Sequence, residues 1–558
     1  MTAATLPVAT KRWLFGPVPD LLLGCGLAYA LLFALFCVRG AAFRNLFVPG
    51  LLPLLSVVGG TPHYGATLLR VYGERESRQK YFFFAVIATF AVSALFVAGL
   101  YQATIGSLLL SVYLTWSPWH YTGQNYGVAL MFLGRRGVQI QAVEKRLIHL
   151  SFLLSYLLVF LSIHGVLPGA NYAPIQYPGS YRFMTLGLPA ALVRPAFALV
   201  AVAYAGLVLS SLGLLLRRAS TRDVFPTAML FVTQALWFSV PAVARHYGVL
   251  ADVDPLSVEY VSYVFAWVAF GHALQYLWVT TYYAQGRRPL GQQLRYYGLC
   301  LASGAALWGI PSLVFRGPLE PRLGTASVFV MVLAVANIHH FILDGAIWKL
   351  RDGRVARILL RAPAPAPPPA GAAPRSSWFR RTIWVVGGSL AATTILAIVI
   401  GELGFRRSLT AGDLAAARSA LSALAFFGRD DAVQHGQLAD AAFSRGELAL
   451  AGQQYEASLS RGPSSAGWLG LAQVAEQSDQ WQRAAEAYTA AAQLDPAPAV
   501  LLYKAGAAWR RAGDPARAVP LLEEAVALEP DSKLIRSVLD LARRDASQQA
   551  GTAARDTF

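Results

Sequence analysis

Apolar runs near the roughly 20 residues that a transmembrane helix requires recur through the first 402 positions. Eleven stretches fit this pattern: 18–38, 46–71, 81–101, 104–132, 147–166, 195–216, 224–244, 257–283, 295–315, 325–349 and 383–402. The first contains a small-residue sequence, Ala28-Tyr29-Ala30, but its apolar run continues through Leu31 to Phe36. It therefore reads as a span and not as a cleaved leader. Basic residues fall between the runs. With the N-terminus inside, the alternating inside segments hold 24 Lys+Arg and the outside loops hold 7. The positive-inside rule then sets a cytoplasmic N-terminus. An odd number of spans places everything after Glu402 on the outer side.

Past that point the pattern changes from continuous to periodic. Residues 483–496 (RAAEAYTAAAQLDP) align with 517–530 (RAVPLLEEAVALEP) at an offset of 34, and 450–463 precedes the first by 33. The Gly412-Asp413 turn precedes Gly446-Glu447 by 34. Small Ala and Gly positions, and a Pro after the second helix of each unit, accompany the period. These strings resemble tetratricopeptide (TPR) repeats, which implies an α-solenoid that binds protein partners and carries no catalysis of its own. The resemblance covers 405–531, with 532–545 expected as a capping helix. The whole chain is thus expected to be all-α: a ten-helix transmembrane domain (1–350), a basic Pro/Ala-rich cytoplasmic linker (351–382), an eleventh transmembrane helix (383–402) and a repeat domain (405–545). Semi-rigid extension is expected at APAPAPPPAGAAP, residues 362–374.

Composition agrees with this division. The 558 residues are 56% hydrophobic and only 14% charged, against about 25% charged in soluble proteins. An ordinary cytosolic enzyme and a disordered chain are both excluded. The net charge of +17 is spread between apolar runs, so no nucleic-acid surface is expected. All three cysteines, Cys25, Cys37 and Cys300, sit inside apolar runs, which argues against a disulfide framework or a thiolate metal site. A multi-pass protein of a bacterial-type inner membrane follows, with the repeats in the periplasm.

The candidate chemistry lies in the histidines. His149, His164, His246 and His435 read as ordinary, near helix ends or in the repeats. His63, His120, His272, His339 and His340 fall inside apolar spans, where an ionisable group is costly and marks function. All five lie on even-numbered spans and precede a basic inside segment, so they are expected to meet in one half of the bundle. Gln124, Tyr276 and Asp344 are each four residues beyond a histidine and share its helix face. Asp344 is expected to bind a metal or orient an imidazole. Imidazole-rich ligation suits iron, copper or zinc and argues against magnesium or calcium. His339 and His340 project about 100° apart, so one is expected to ligate and the other to reach a second metal or the substrate.

Pro62-His63-Tyr64-Gly65 and Trp119-His120-Tyr121 resemble the motifs of the Brp/Blh family. That family comprises membrane carotenoid-cleaving dioxygenases with a histidine-held non-haem iron. The resemblance implies an oxygenase with one or two non-haem irons held by His63, His120, His272 and His339 or His340. A lipid-soluble substrate would enter from the bilayer, among Trp116, Trp119, Tyr121, Tyr276, Trp278 and Phe341. The family's second histidine pair has no counterpart, since His272 and His339 lie on separate spans. Desaturase-type histidine boxes are also absent. The rival readings are a haem electron carrier with His120 and His272 as axial ligands, a metal or proton transporter, and a membrane-anchored TPR scaffold whose histidines only join helices. A glycosyltransferase is disfavoured, because residues 39–45 contain no acidic residue.

Overall fold

The computed structural model describes residues 12–47, 51–73, 75–165, 176–177, 181–249, 261–286, 288–323, 325–348, 353–360, 377–495 and 497–555. The Pro/Ala stretch, residues 362–374, lies outside them. The chain is all-α apart from a two-stranded antiparallel ribbon pairing Gln176–Tyr177 with Tyr181–Arg182. It divides into two units, Met1–Ile395 and Leu396–Phe558.

The principal helices of the first unit are α1 (Leu27–Phe47), α2 (Thr61–Tyr72), α3 (Thr89–Tyr101), α4 (Ala103–Arg135), α5 (Ala142–His164), α6 (Ala190–Arg218) and α7 (Thr221–Gln234). They continue with α8 (Val240–Tyr247), α9 (Val261–Gln285), α10 (Leu290–Leu323), α11 (Thr325–Ile347), α12 (Gly353–Leu360) and α13 (Ser377–Val399). Seven helices among the described residues are long and apolar enough to cross a membrane. The pair Pro17–Gly24 and Leu27–Val38, bent by 62°, makes an eighth. The three expected spans missing from this set are 46–71, 104–132 and 257–283. All three carry site histidines together with other buried polar residues, among them Thr67, Asn125 and Gln275, which lower their hydropathy. A count of eleven is therefore not reached by this measure.

Local chemistry explains the breaks. Gly26 adopts a φ of +76° between the two bent segments, which only glycine does readily. Thr233 donates a 2.7 Å hydrogen bond to the Cys25 carbonyl beside it. Asp20 caps the same region, accepting from the Leu14 and Phe15 amides and from Trp278 Nε1. At α2, Pro62 offers no N–H to the Val58 carbonyl one turn back, and the Tyr297 hydroxyl donates to it. The preceding Ser56–Gly60 segment is π-helical. Gly65 of α2 and Gly304 of α10 let the two backbones touch: a Cβ on Gly65 would lie 1.8 Å from the Cys300 carbonyl oxygen.

Part of the expected linker is helical. α12 buries Val355 and Leu359 against the first unit, and Arg135 donates to the Leu359 carbonyl. A linker reading rested on the proline run further on, and this amphipathic turn precedes it.

α13 continues through a π-helical stretch, Ile400–Arg406, to Ala411. The second unit then holds α14 (Leu414–Phe426), α15 (Ala432–Ser444), α16 (Leu448–Arg461), α17 (Ser465–Gln477), α18 (Trp481–Leu494), α19 (Ala499–Arg511), α20 (Pro515–Leu528) and α21 (Lys533–Arg555). Corresponding helices start at 414, 448, 481 and 515, and at 432, 465, 499 and 533, a repeat of 33 or 34 residues. Alanines such as Ala439, Ala484, Ala491, Ala505 and Ala518 are fully buried between neighbours. Tyr455 and Tyr488 each bond an acid on the preceding helix, Asp440 and Glu476. The last helix runs to Arg555, ten residues beyond the expected cap.

Candidate metal centre

Four helices that are distant in sequence bring four histidines together: His63 on α2, His120 on α4, His272 on α9 and His340 on α11. The ring centroids of His63 and His340 are 4.6 Å apart, and those of His63 and His272 are 5.5 Å apart. His120 stands 5.0 Å from His272 and 5.1 Å from His340. Asp344, one turn beyond His340, places Oδ2 3.5 Å from His340 Nε2 and 3.8 Å from His120 Nε2. Two trios have ligand atoms that all lie within 4.8 Å of one another: His63, His272 and His340, and then His120, His340 and Asp344. Metal–nitrogen bonds of 2.0–2.1 Å put paired ligand atoms roughly 3.3 Å apart. The side chains would draw in by an ångström or so around an ion.

Several of these nitrogens lack partners. His120 Nε2, His340 Nε2 and both ring nitrogens of His272 are buried without a hydrogen bond. A buried unsatisfied polar atom costs roughly 1–3 kcal/mol, and native interiors contain few of them. Two of the ordinary histidines are provided for: His164 bonds Thr115 Oγ1 and the Leu186 amide, and His435 bonds Gln454 and Asp430. His246 Nδ1 is unpartnered, but it stands alone and not in a cluster. Converging lone pairs with no protein donor suit a cation. The donor set therefore fits a metal ion.

The surroundings orient these groups. His63 Nδ1 can only donate to the Gly60 carbonyl, which leaves its Nε2 as the lone-pair nitrogen. Asp344 Oδ1 accepts from the Tyr276 hydroxyl at 2.7 Å and from Thr67 Oγ1 at 3.0 Å. Trp348 Nε1 in turn donates to Tyr276 at 3.0 Å. Tyr121 stacks on His272 with centroids 4.1 Å apart, and Phe341 stacks on His120 at 4.4 Å. Tyr64 packs against His63 and donates to Asn337 Oδ1 at 2.8 Å.

Two expected members stand apart from the cluster. His339 turns toward α3, with Nε2 2.9 Å from Thr89 Oγ1 and 3.4 Å from the Tyr72 hydroxyl. The 100° step between adjacent helical residues carries it out of the group that His340 enters. Gln124 shares a helix face with His120, yet its amide donates to Gln275 Oε1 and to the His272 carbonyl. It braces α4 against α9 and does not point among the ligand atoms. Thr67 and Trp348 were not singled out from the sequence, and Tyr64 entered only within the Pro62-His63-Tyr64-Gly65 motif. Thr67 lies four residues after His63, the same spacing that flagged Gln124, Tyr276 and Asp344, so that signal was present.

No protein-family model, curated protein or solved structure matches this chain.

Proposed function

We propose that the chain is an integral-membrane metalloenzyme, a histidine-ligated non-haem iron oxygenase or oxidoreductase acting on a lipid-soluble substrate. One observation carries this reading: four buried imidazoles and a carboxylate converge, and three of the imidazoles present nitrogens without partners. His63, His120, His272 and His340 would hold the ion, with Asp344 Oδ2 as a further oxygen donor. Both trios need His340, whose Nδ1 lies 3.0 Å from Thr67. Only its Nε2 is left for both, which favours a single ion. The imidazole-rich set suits iron, copper or zinc; iron is chosen on the Pro62-His63-Tyr64-Gly65 and Trp119-His120-Tyr121 motifs. Bound iron would supply redox chemistry toward dioxygen.

The chain's own contribution is orientation and dryness. Tyr276 and Thr67 hold Asp344 with one oxygen turned to the histidines. Phe341 and Tyr121 cover two of the rings and exclude water. His120, with 11% of its side chain exposed, is the ring nearest the surface, next to Trp119, whose indole is 43% exposed. That edge is where an apolar substrate would arrive from the bilayer. The haem alternative is less well supported, because the four rings make edge and face contacts with one another where a porphyrin would need an open slab.

The second unit would act as a TPR-type partner-binding solenoid, supported by its 33- or 34-residue helical repeat. A membrane-anchored scaffold is the second reading, and that same repeat favours it. In either case a bacterial-type inner membrane with periplasmic repeats is proposed. The test is oxygen consumption by iron-loaded protein in detergent supplied with membrane lipid and isoprenoid extracts. Uptake by the wild type that is lost in His120→Ala supports the enzyme. Equal and negligible uptake by both, with iron bound in the wild type, contradicts the oxygenase.

A further inference from the structure

We infer that Thr67 is a positioning residue that fixes which nitrogen of His340 and which oxygen of Asp344 face the site. This rests on the metal-centre reading given above. Thr67 is buried on α2, one turn after His63. Its single hydroxyl meets three polar groups from two other helices: His340 Nδ1 at 3.0 Å, Asp344 Oδ1 at 3.0 Å and the Tyr276 hydroxyl at 2.6 Å.

Hydrogen counting fixes the arrangement. A hydroxyl has one hydrogen to give and two lone pairs to receive with. Asp344 Oδ1 has none to give, so two hydroxyl hydrogens link three oxygens, running either from Tyr276 to Thr67 to Asp344 Oδ1 or from Thr67 to Tyr276 to Asp344 Oδ1, and the Thr67 hydrogen is used in both. With that hydrogen committed, the contact to His340 needs Nδ1–H as the donor. His340 is then held as the tautomer whose lone pair is on Nε2, the atom that faces Asp344 Oδ2 and makes no hydrogen bond. Either run fills Oδ1 of Asp344, which lies 3.0 Å from Thr67 Oγ1 and 2.7 Å from the Tyr276 hydroxyl. Oδ2 is left as the only free oxygen, so Asp344 is limited to one-oxygen ligation. Thr67 thus sets two donors without touching the ion. Groups of this kind, bonded to metal ligands, change metal affinity by about 10- to 100-fold when removed.

The test is cobalt(II) titration into metal-stripped, detergent-purified full-length protein, read by ligand-field absorption and by the dissociation constant. Thr67→Val keeps the side-chain shape without the hydroxyl, and Thr67→Ser keeps the hydroxyl. T67V is expected to weaken cobalt binding about 10- to 100-fold and to shift the absorption bands, while T67S keeps the wild-type bands. Where T67V does not give monodisperse protein, Thr67→Ala removes the same hydroxyl and carries the same expectation. A hydroxyl-less variant with wild-type affinity and bands overturns the inference, as does T67S behaving like T67V. Wild-type protein that takes up no cobalt overturns the metal-centre reading itself, and the inference with it.

Discussion

Gly65 of the Pro62-His63-Tyr64-Gly65 motif is pressed against Cys300: an added Cβ would sit 1.8 Å from the Cys300 carbonyl oxygen. The reciprocal contact is as close, because a Cβ on Gly304 would lie 2.0 Å from the Thr61 carbonyl oxygen. Backbone cannot yield as a flexible side chain can. Gly65→Ala must therefore push α2 and α10 apart, and α2 carries both His63 and Thr67. We expect G65A to lower stability by about 1–3 kcal/mol, the usual cost of overpacking a tight core. It should also reduce metal content although Gly65 has no ligand atom. Thermal melting and elemental analysis of purified G65A check both, and an unchanged melt would contradict the helix contact.

The adjacent pair His339 and His340 separates the site from its surroundings. His340→Ala removes the nitrogen common to both candidate ligand trios, and near-complete loss of bound metal is expected. His339→Ala removes only the contacts to Thr89 and Tyr72. That variant should retain metal close to the wild-type level, with at most a modest fall in melting temperature. Equal loss from both would place His339 among the ligands.

In the second unit, Asp430 is buried near His435 and Arg461. Burial alone would raise its pKa, but the hydrogen bond from His435 and the Arg461 guanidinium outweigh it and hold the carboxyl below its ordinary value of 3.8. A lowered folded-state value stabilises the fold above the ordinary carboxylate range. That contribution is lost as pH falls through the lowered value. Unfolding of the repeat unit should thus become easier below about pH 4. Asp430→Asn should flatten this part of the pH dependence while lowering stability at pH 7. Denaturant unfolding at pH 7 and pH 3 distinguishes the two, and a D430N profile parallel to wild type would contradict the assignment.

The sequence was most legible where one force dominates. Largely exposed apolar helices such as α6 and α13 are nearly continuous apolar runs, and the repeat period of the second unit is visible because Ala and Gly recur where helices touch. Three of the four site helices, α2, α4 and α9, are harder to read as spans, since their polar residues face one another across the bundle. Their histidines were nonetheless conspicuous for the same reason, being ionisable groups in apolar surroundings. Helical spacing points to Asp344 and Tyr276, which lie beside the clustered histidines. It also points to Gln124, whose amide meets Gln275 and the His272 carbonyl, because sharing a face with His120 does not decide which neighbouring helix the amide meets. Thr67 escaped notice because a threonine in an apolar helix usually bonds its own backbone. Only the packing of α2 against α9 and α11 shows what its hydroxyl reaches.

Metal content tests the central claim most directly. Full-length protein purified in detergent would be analysed by plasma mass spectrometry beside His63→Ala, His120→Ala, His272→Ala and His340→Ala, with His339→Ala as the control. The account predicts close to one iron per wild-type chain, lost in the four site variants and kept in His339→Ala. Wild-type protein that stays metal-free after iron, copper and zinc supplementation would contradict it. The histidines would then be joints between helices, and the partners of the repeat unit would carry the function.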